Sequence, residues 1–375
     1  NSSQPAMIFL LRFRYCGFAR SFSNFHTHFM REKASNFPVK FAQRCLCYCS
    51  SYKTKLTIFS LMKRYGANTK NGPYKLLFTL GFSRSFFGLF KKEAEIEDIG
   101  PFILEARRAE MELKFSEAEK HYHDALKLSD DLFRKQEIDE TKNITNKTFI
   151  YDALANMSLA QGQFEKAEQL LKETMKGCLQ LGMDKEDNAM IEMSIKLASI
   201  YSILKRNDDA RLGFQFCIEA LNKKVGDNFD ADHNSSGLLG MALETYARFL
   251  MFHDELDGAE PMLTRAFQVA KVLLGPDHSQ TLTLMNDIAT LKTMKQNYPD
   301  AEKILKEAVI LGEKVDSDQL PSLYCNIGAL YLRMMQLPEA EGACQKGLNV
   351  SLKLKDKYGI HYAQACLKKL KELKK

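Results

Sequence analysis

Small side chains recur along this chain at a fixed three-part spacing. Take as position 0 the alanines in FSEA (Ala118), FEKA (Ala167), NDDA (Ala210), LDGA (Ala259), YPDA (Ala301) and LPEA (Ala340). Another small residue then stands twelve positions earlier in every case: Ala106, Ala155, Ala198, Ala247, Ala289 and Gly328. Seven positions later stand Ala125, Thr174, Cys217, Ala266, Ala308 and Gly347. Bulky apolar residues surround them, with Phe115, Phe164, Leu256, Tyr298 and Leu337 at −3. Small residues at these intervals mark where one helix must approach another closely, and the larger neighbours fill the space left between them. Turn-forming residues fall between −7 and 0, among them Gly162, Asn207-Asp208 and Asn297-Tyr298-Pro299. Pro299 and Pro338 suit the first turn of a helix, where a missing amide donor costs nothing. The pattern therefore predicts an all-α chain of about six helix pairs stacked as a solenoid.

The intervals between anchors are 49, 43, 49, 42 and 39 residues. The two longest contain polar stretches, near 131–147 and 222–237, that read as loops. A last amphipathic segment, HYAQACLKKLKELKK, sets Ala363, Cys366, Leu367 and Leu370 on one stripe with lysines opposite, the pattern of a helix that caps an open stack. Within each pair, positions −15, −14 and −11 belong to the first helix, and the first helices of stacked arrays line the concave side, the usual groove for a peptide or helix. They supply Asp152, Asn156, Glu244, Arg248, Asn286, Asp287, Thr290 and Asn326 as candidate partner-binding residues. Polar groups of mixed sign suit an extended backbone better than a single carboxylate tail. The plainer reading is that they form only the solvated face of each helix.

Charge divides the chain in two. Residues 1–92 hold sixteen Lys and Arg against one acid, Glu32, which leaves 37 basic and 46 acidic residues for 93–375. A basic, Ser- and Phe-rich leader almost free of acid has the character of an organelle transit segment. No Met opens the chain, and Met7, Met30 and Met62 are candidate starts, with a translated upstream region as the alternative before Met62. The apolar stretch at 76–90 is fifteen residues long with Arg84 at its middle. That falls short of the ~20 residues a spanning helix needs and suggests surface anchoring, with a spanning helix as the alternative only where Arg84 snorkels or flanking residues extend the segment. The acidic remainder argues against a nucleic-acid partner.

Catalytic and metal signatures were sought without result. No phosphate-binding loop, dinucleotide fingerprint, HExxH or nucleophile elbow occurs, so neither an enzyme nor a small-molecule substrate nor a cofactor is expected. Cys45, Cys47 and Cys49 lack a second ligand pair at zinc spacing. Asp230 to Asn234 opens like a calcium loop but has Ser235 in place of the required glycine and Met241 in place of the bidentate glutamate. Nine dispersed cysteines read as reduced thiols packed as small apolar residues. The basic terminus from Lys368 to Lys375 reads as a solvated helix face, with contact to acidic lipid or protein as the alternative.

The −12, 0, +7 spacing of small residues resembles that of the tetratricopeptide repeat, lengthened as in kinesin light chains. The runs GQFEKAEQLLKETM (Gly162 to Met175), GMDKEDNAMIEMSIKLASIY (Gly182 to Tyr201) and LLGMALETYARFL (Leu238 to Leu250) look like the tetratricopeptide repeat protein 19 family of mitochondria, over roughly residues 100–375. That resemblance implies a non-catalytic scaffold at the mitochondrial inner membrane with its repeats on the matrix side. It also implies association with respiratory complex III and clearance of fragments of the Rieske iron-sulfur subunit. A cytosolic adaptor of the kinesin light chain kind is the alternative.

Overall fold

The computed structural model describes residues 98–374; the leader 1–92, its 76–90 stretch and the Cys45 to Cys49 cluster lie outside them. Among the described residues there are thirteen helices and no strand. Six pairs follow in order: α1 (Gly100–Met111) with α2 (Phe115–Arg134), α3 (Glu140–Ala160) with α4 (Phe164–Gln180), and α5 (Asn188–Ile203) with α6 (Asn207–Val225). Then come α7 (His233–Phe252) with α8 (Leu256–Leu274), α9 (Ser279–Met294) with α10 (Tyr298–Lys314), and α11 (Leu320–Arg333) with α12 (Leu337–Leu354). A final helix, α13 (Lys357–Leu373), packs on α12 and α11. The architecture is the α-solenoid of helix pairs. No helix among the described residues is long and apolar enough to cross a membrane.

Two compact units divide within α6, at residues 213 and 214. In the first, Ala106, Ala118, Ala155, Ala167, Ala198 and Ala210 are completely buried. The second buries Ala247, Ala259, Ala289, Ala301 and Ala340 as fully. A Cβ on Gly328 would lie 2.3 Å from the Cys344 sulfur, so the sixth pair closes where an alanine does not fit. Around these contacts sit the bulky core residues, Tyr122, Ile150 and Leu171 in the first unit and Leu239, Leu263 and Leu305 in the second. Burying each such side chain contributes about 1.5–3 kcal/mol.

One backbone device makes all twelve joints. Each carries a single residue at positive φ: Leu113, Gly162, Lys205, Asp254, Gln296 and Met335 inside the pairs, and Gln136, Gly182, Gly226, Gly275, Asp316 and Lys355 between them. The six inside the pairs all stand at −5. At each of those six the next amide reaches back five residues, as from Lys114 to the Ala109 carbonyl (2.8 Å) and from Arg206 to that of Tyr201 (2.8 Å). This is the Schellman closure, which satisfies the last carbonyls of a helix and reverses the chain in a few residues. Aspartates start several of the first helices: Asp187 accepts from the Ala189 amide at 2.9 Å and Asp232 from those of Asn234 and Ser235 at 3.0 and 3.2 Å. That capping role accounts for the acidic run that opens like a calcium loop.

Two expectations are corrected. Much of the polar stretch near 131–147 is helix, because α3 begins at Glu140 behind the Asp139 cap. Its asparagines turn inward: Ser129 Oγ donates to Asn143 Oδ1 (2.8 Å) and Asn146 Nδ2 donates to Ser129 Oγ (3.1 Å). Likewise α6 runs on to Val225 and α7 begins at His233, so only 226–232 of the second stretch is loop. The thiols are not all free either. Cys344 on α12 and Cys366 on α13 form a disulfide across a Cα separation of 6.3 Å, whereas Cys178, Cys217 and Cys325 are free.

Candidate protein-binding surface

The polar positions of the first helices come together by a single rule. Residues at −15 and −11 of one pair meet the residue at −14 of the next. In the first unit these are Asp152 and Asn156 on α3 with Lys196 on α5. Asn156 Nδ2 donates to Asp152 Oδ2 (3.0 Å), and Lys196 Nζ donates to Asn156 Oδ1 (3.2 Å). Within the second unit the same positions are Glu244 and Arg248 on α7 with Asp287 on α9. Arg248 Nη2 lies 2.6 Å from Glu244 Oε1 and 2.7 Å from Asp287 Oδ2, and its Nε donates to the same Asp287 oxygen at 2.9 Å. One pair further on stand Asn286 and Thr290 on α9 with Asn326 on α11, whose Nδ2 donates to Asn286 Oδ1 at 2.7 Å.

All eight candidate residues thus fall in three interhelical rungs. Asp152, Glu244, Asn286 and Thr290 are buried in them, while Asn156, Arg248, Asp287 and Asn326 are half-buried. Of these four, Asn156 belongs to the first unit and Arg248, Asp287 and Asn326 to the second. The candidate set omitted three participants. Lys196 stands at −14 of the third pair, where the register that picks out Asp287 also points. Glu192 is one turn before it on α5 and lies 3.1 Å from its Nζ. Gln280 donates to Glu244 Oε2 at 2.5 Å; no sequence signal marks it.

Electrostatics separates the rungs. Lys196 and Glu192 are 3% and 1% exposed, and neither Glu192 carboxylate oxygen nor Asp152 Oδ1 receives a well-directed hydrogen bond. Burial pushes Asp152 up to about 7, with Lys196 pulling it down and Glu192 pushing it further up. Lys196 is itself raised: burial works against its charge, but Glu192 and Asp152 outweigh that. Burial also pushes the Cys178 and Cys217 thiols up to about 12, so both are un-ionised packing groups. Among the described residues no three His, Cys, Asp or Glu side chains gather in a way that could hold a metal ion.

Comparison with known proteins agrees with this layout. Models of the tetratricopeptide repeat match residues 150–181, which span α3 and α4, and 238–310, which run from α7 into α10. Aspartyl phosphate phosphatase F from Bacillus subtilis has a similar structure, with a TM-score of 0.54 at 13% identity over 90% of this chain and 80% of that one, a likeness of fold alone. In sequence, this chain is 24% identical over 312 residues to tetratricopeptide repeat protein 19 homolog, mitochondrial, of Drosophila melanogaster, covering 81% of each. It is 32% identical over 287 residues to tetratricopeptide repeat protein 19, mitochondrial, of Homo sapiens, covering 74% of this chain and 73% of that protein. Similarity of that extent, carried on six helix pairs and a final helix, makes the chain a member of the tetratricopeptide repeat protein 19 family.

Proposed function

We propose that this chain is a non-catalytic protein-binding scaffold of mitochondria that supports assembly and maintenance of respiratory complex III, including removal of Rieske subunit fragments. Residues 1–92 act as the import leader, and the repeats of 93–375 face the matrix at the inner membrane. The observation that carries the reading is the family relationship: the curated relatives bear the word mitochondrial in their names. The acid-poor leader, with sixteen basic residues, is what import requires. For partner contact, Asn156, Arg248, Asp287 and Asn326 are the candidate side chains least buried in the rungs.

Two experiments test it. The first fuses residues 1–92 to a fluorescent protein, which should concentrate in mitochondria. A diffuse cytosolic signal would overturn the compartment and favour a cytosolic adaptor. Secondly, affinity capture of the full chain from solubilised mitochondria should recover complex III subunits, and recovery of none rejects the partner assignment.

A further inference from the structure

Residues 345–375 carry nine lysines, no arginine and only two acids, Asp356 and Glu372, whereas residues 93–344 hold 28 basic and 44 acidic residues. The repeat region thus changes from strongly acidic to strongly basic within α12. Gly359, Ala363 and Leu370 bury the inner side of α13. On the opposite side Lys357, His361, Gln364, Lys368 and Lys371 follow one another at steps of four and three, all exposed. Beside that stripe, one helical turn apart, Tyr358 and Tyr362 are 39% and 40% exposed. Leu352 is exposed at the end of α12 and Leu373 at the end of α13.

Here exposed tyrosines and leucines stand together among lysines on one face. Tyrosine with lysine is the combination that sits at headgroup level, the ring in the interface and the ammonium among phosphates. The complete absence of arginine also bears on the partner. Bidentate docking to a particular carboxylate or phosphate favours the guanidinium fork, while compact ammonium charges suit a diffuse anionic field. The surface is one-sided and about 26 Å long, the length of a seventeen-residue helix. We infer that α13, with the end of α12, lies flat on an anionic phospholipid surface, the two tyrosines at the headgroups and the lysine stripe over the phosphates. The acidic surface of the preceding repeats adds no attraction, so contact is confined to this face. The inference deepens the membrane attachment proposed above. Its test contains no protein partner and reads one residue of α13, so its failure is distinct from failure of that reading.

The chain has no tryptophan, so Tyr362→Trp in the full chain gives a single fluorescent reporter. Because the basic leader would itself draw the chain to anionic vesicles, sedimentation alone does not suffice. With phosphatidylcholine vesicles containing about one-fifth phosphatidylglycerol, the reporter should shift to the blue and be quenched by brominated acyl chains. Pure phosphatidylcholine should produce neither effect. Adding Lys353→Glu, Lys357→Glu, Lys368→Glu and Lys371→Glu should weaken the vesicle dependence of the signal at least about 100-fold, with an unchanged circular dichroism melt. An unshifted reporter on vesicles that nevertheless carry the chain down would overturn the inference. So would a shift with soluble polyglutamate and none with vesicles, which would identify an acidic protein as the partner.

Discussion

The rung on α3 and α5 and the rung on α7 and α9 occupy the same three register positions, yet they solve the same problem differently. In the second unit one guanidinium spans two carboxylates, Glu244 and Asp287, and Gln280 takes a further Glu244 oxygen. In the first, a lysine ammonium answers two carboxylates, Asp152 and Glu192, from a site almost closed to water, and several of their oxygens accept nothing. A planar fork with five donors can bridge two helices; a point charge in low dielectric leaves oxygens unsatisfied. Buried charge without full hydrogen bonding costs stability. The first rung is therefore the strained one, and the second a hydrogen-bonded tie between helices.

The largest expected effect is Lys196→Met, which leaves Asp152 and Glu192 buried without their cation and should cost about 3–5 kcal/mol. Hydrogen exchange of the α3 and α5 amides at pH 8 reads it locally; a cost no larger than that of Arg248→Met would remove the distinction between the rungs. Next comes Asp152→Asn. With its folded value near 7 against an ordinary 3.8, Asp152 keeps its proton in the folded chain where the unfolded chain has already lost it. The stability it permits is full below about pH 4 and lost as pH rises through about 7. Removing the acid should flatten that slope and stabilise the first unit by about 2–4 kcal/mol at pH 8. Urea titrations at pH 5 and pH 8 measure the difference, to which Glu192 and Lys196 on α5 and Cys178 on α4 are the coupled neighbours. Arg248→Met should cost less, about 1–3 kcal/mol, because Glu244 keeps Gln280 and Asp287 reaches water. Smallest is Asn326→Ala, about 1 kcal/mol, seen as faster exchange in α9 and α11.

Much of this was legible because close approach of helices is a steric requirement that acts residue by residue. Six pairs follow from small residues twelve and seven apart, and the final helix from the apolar stripe of Ala363, Cys366, Leu367 and Leu370. The place of the joints within pairs was legible, between −7 and 0, but which residue takes the positive φ was not. Only four of the twelve positive-φ residues are glycine; the others are Leu113, Gln136, Lys205, Asp254, Gln296, Asp316, Met335 and Lys355, which carry no turn signature. Their conformation is imposed by the helices on either side. Polarity misled at Asn143 and Asn146, which read as loop residues yet hydrogen-bond Ser129 inside a helix contact. The Cys344 and Cys366 pair, 22 positions apart on different helices, had no local pattern to announce it.

For the rungs, the register located the polar positions, and their partners came only from the fold. Asp152, Glu244 and Asn286 read alike as polar outer positions of amphipathic helices. Glu244 meets Arg248 on its own helix, but whether the rung is completed by a lysine, a second carboxylate or an amide depends on the residue at −14 of the following pair, some forty residues away: Lys196, Asp287 or Asn326. By itself the sequence determined where helices touch, since side-chain size is a property of single residues. Tertiary structure alone decided which polar groups are satisfied, because hydrogen bonding and dielectric belong to neighbours that the chain brings together from a distance.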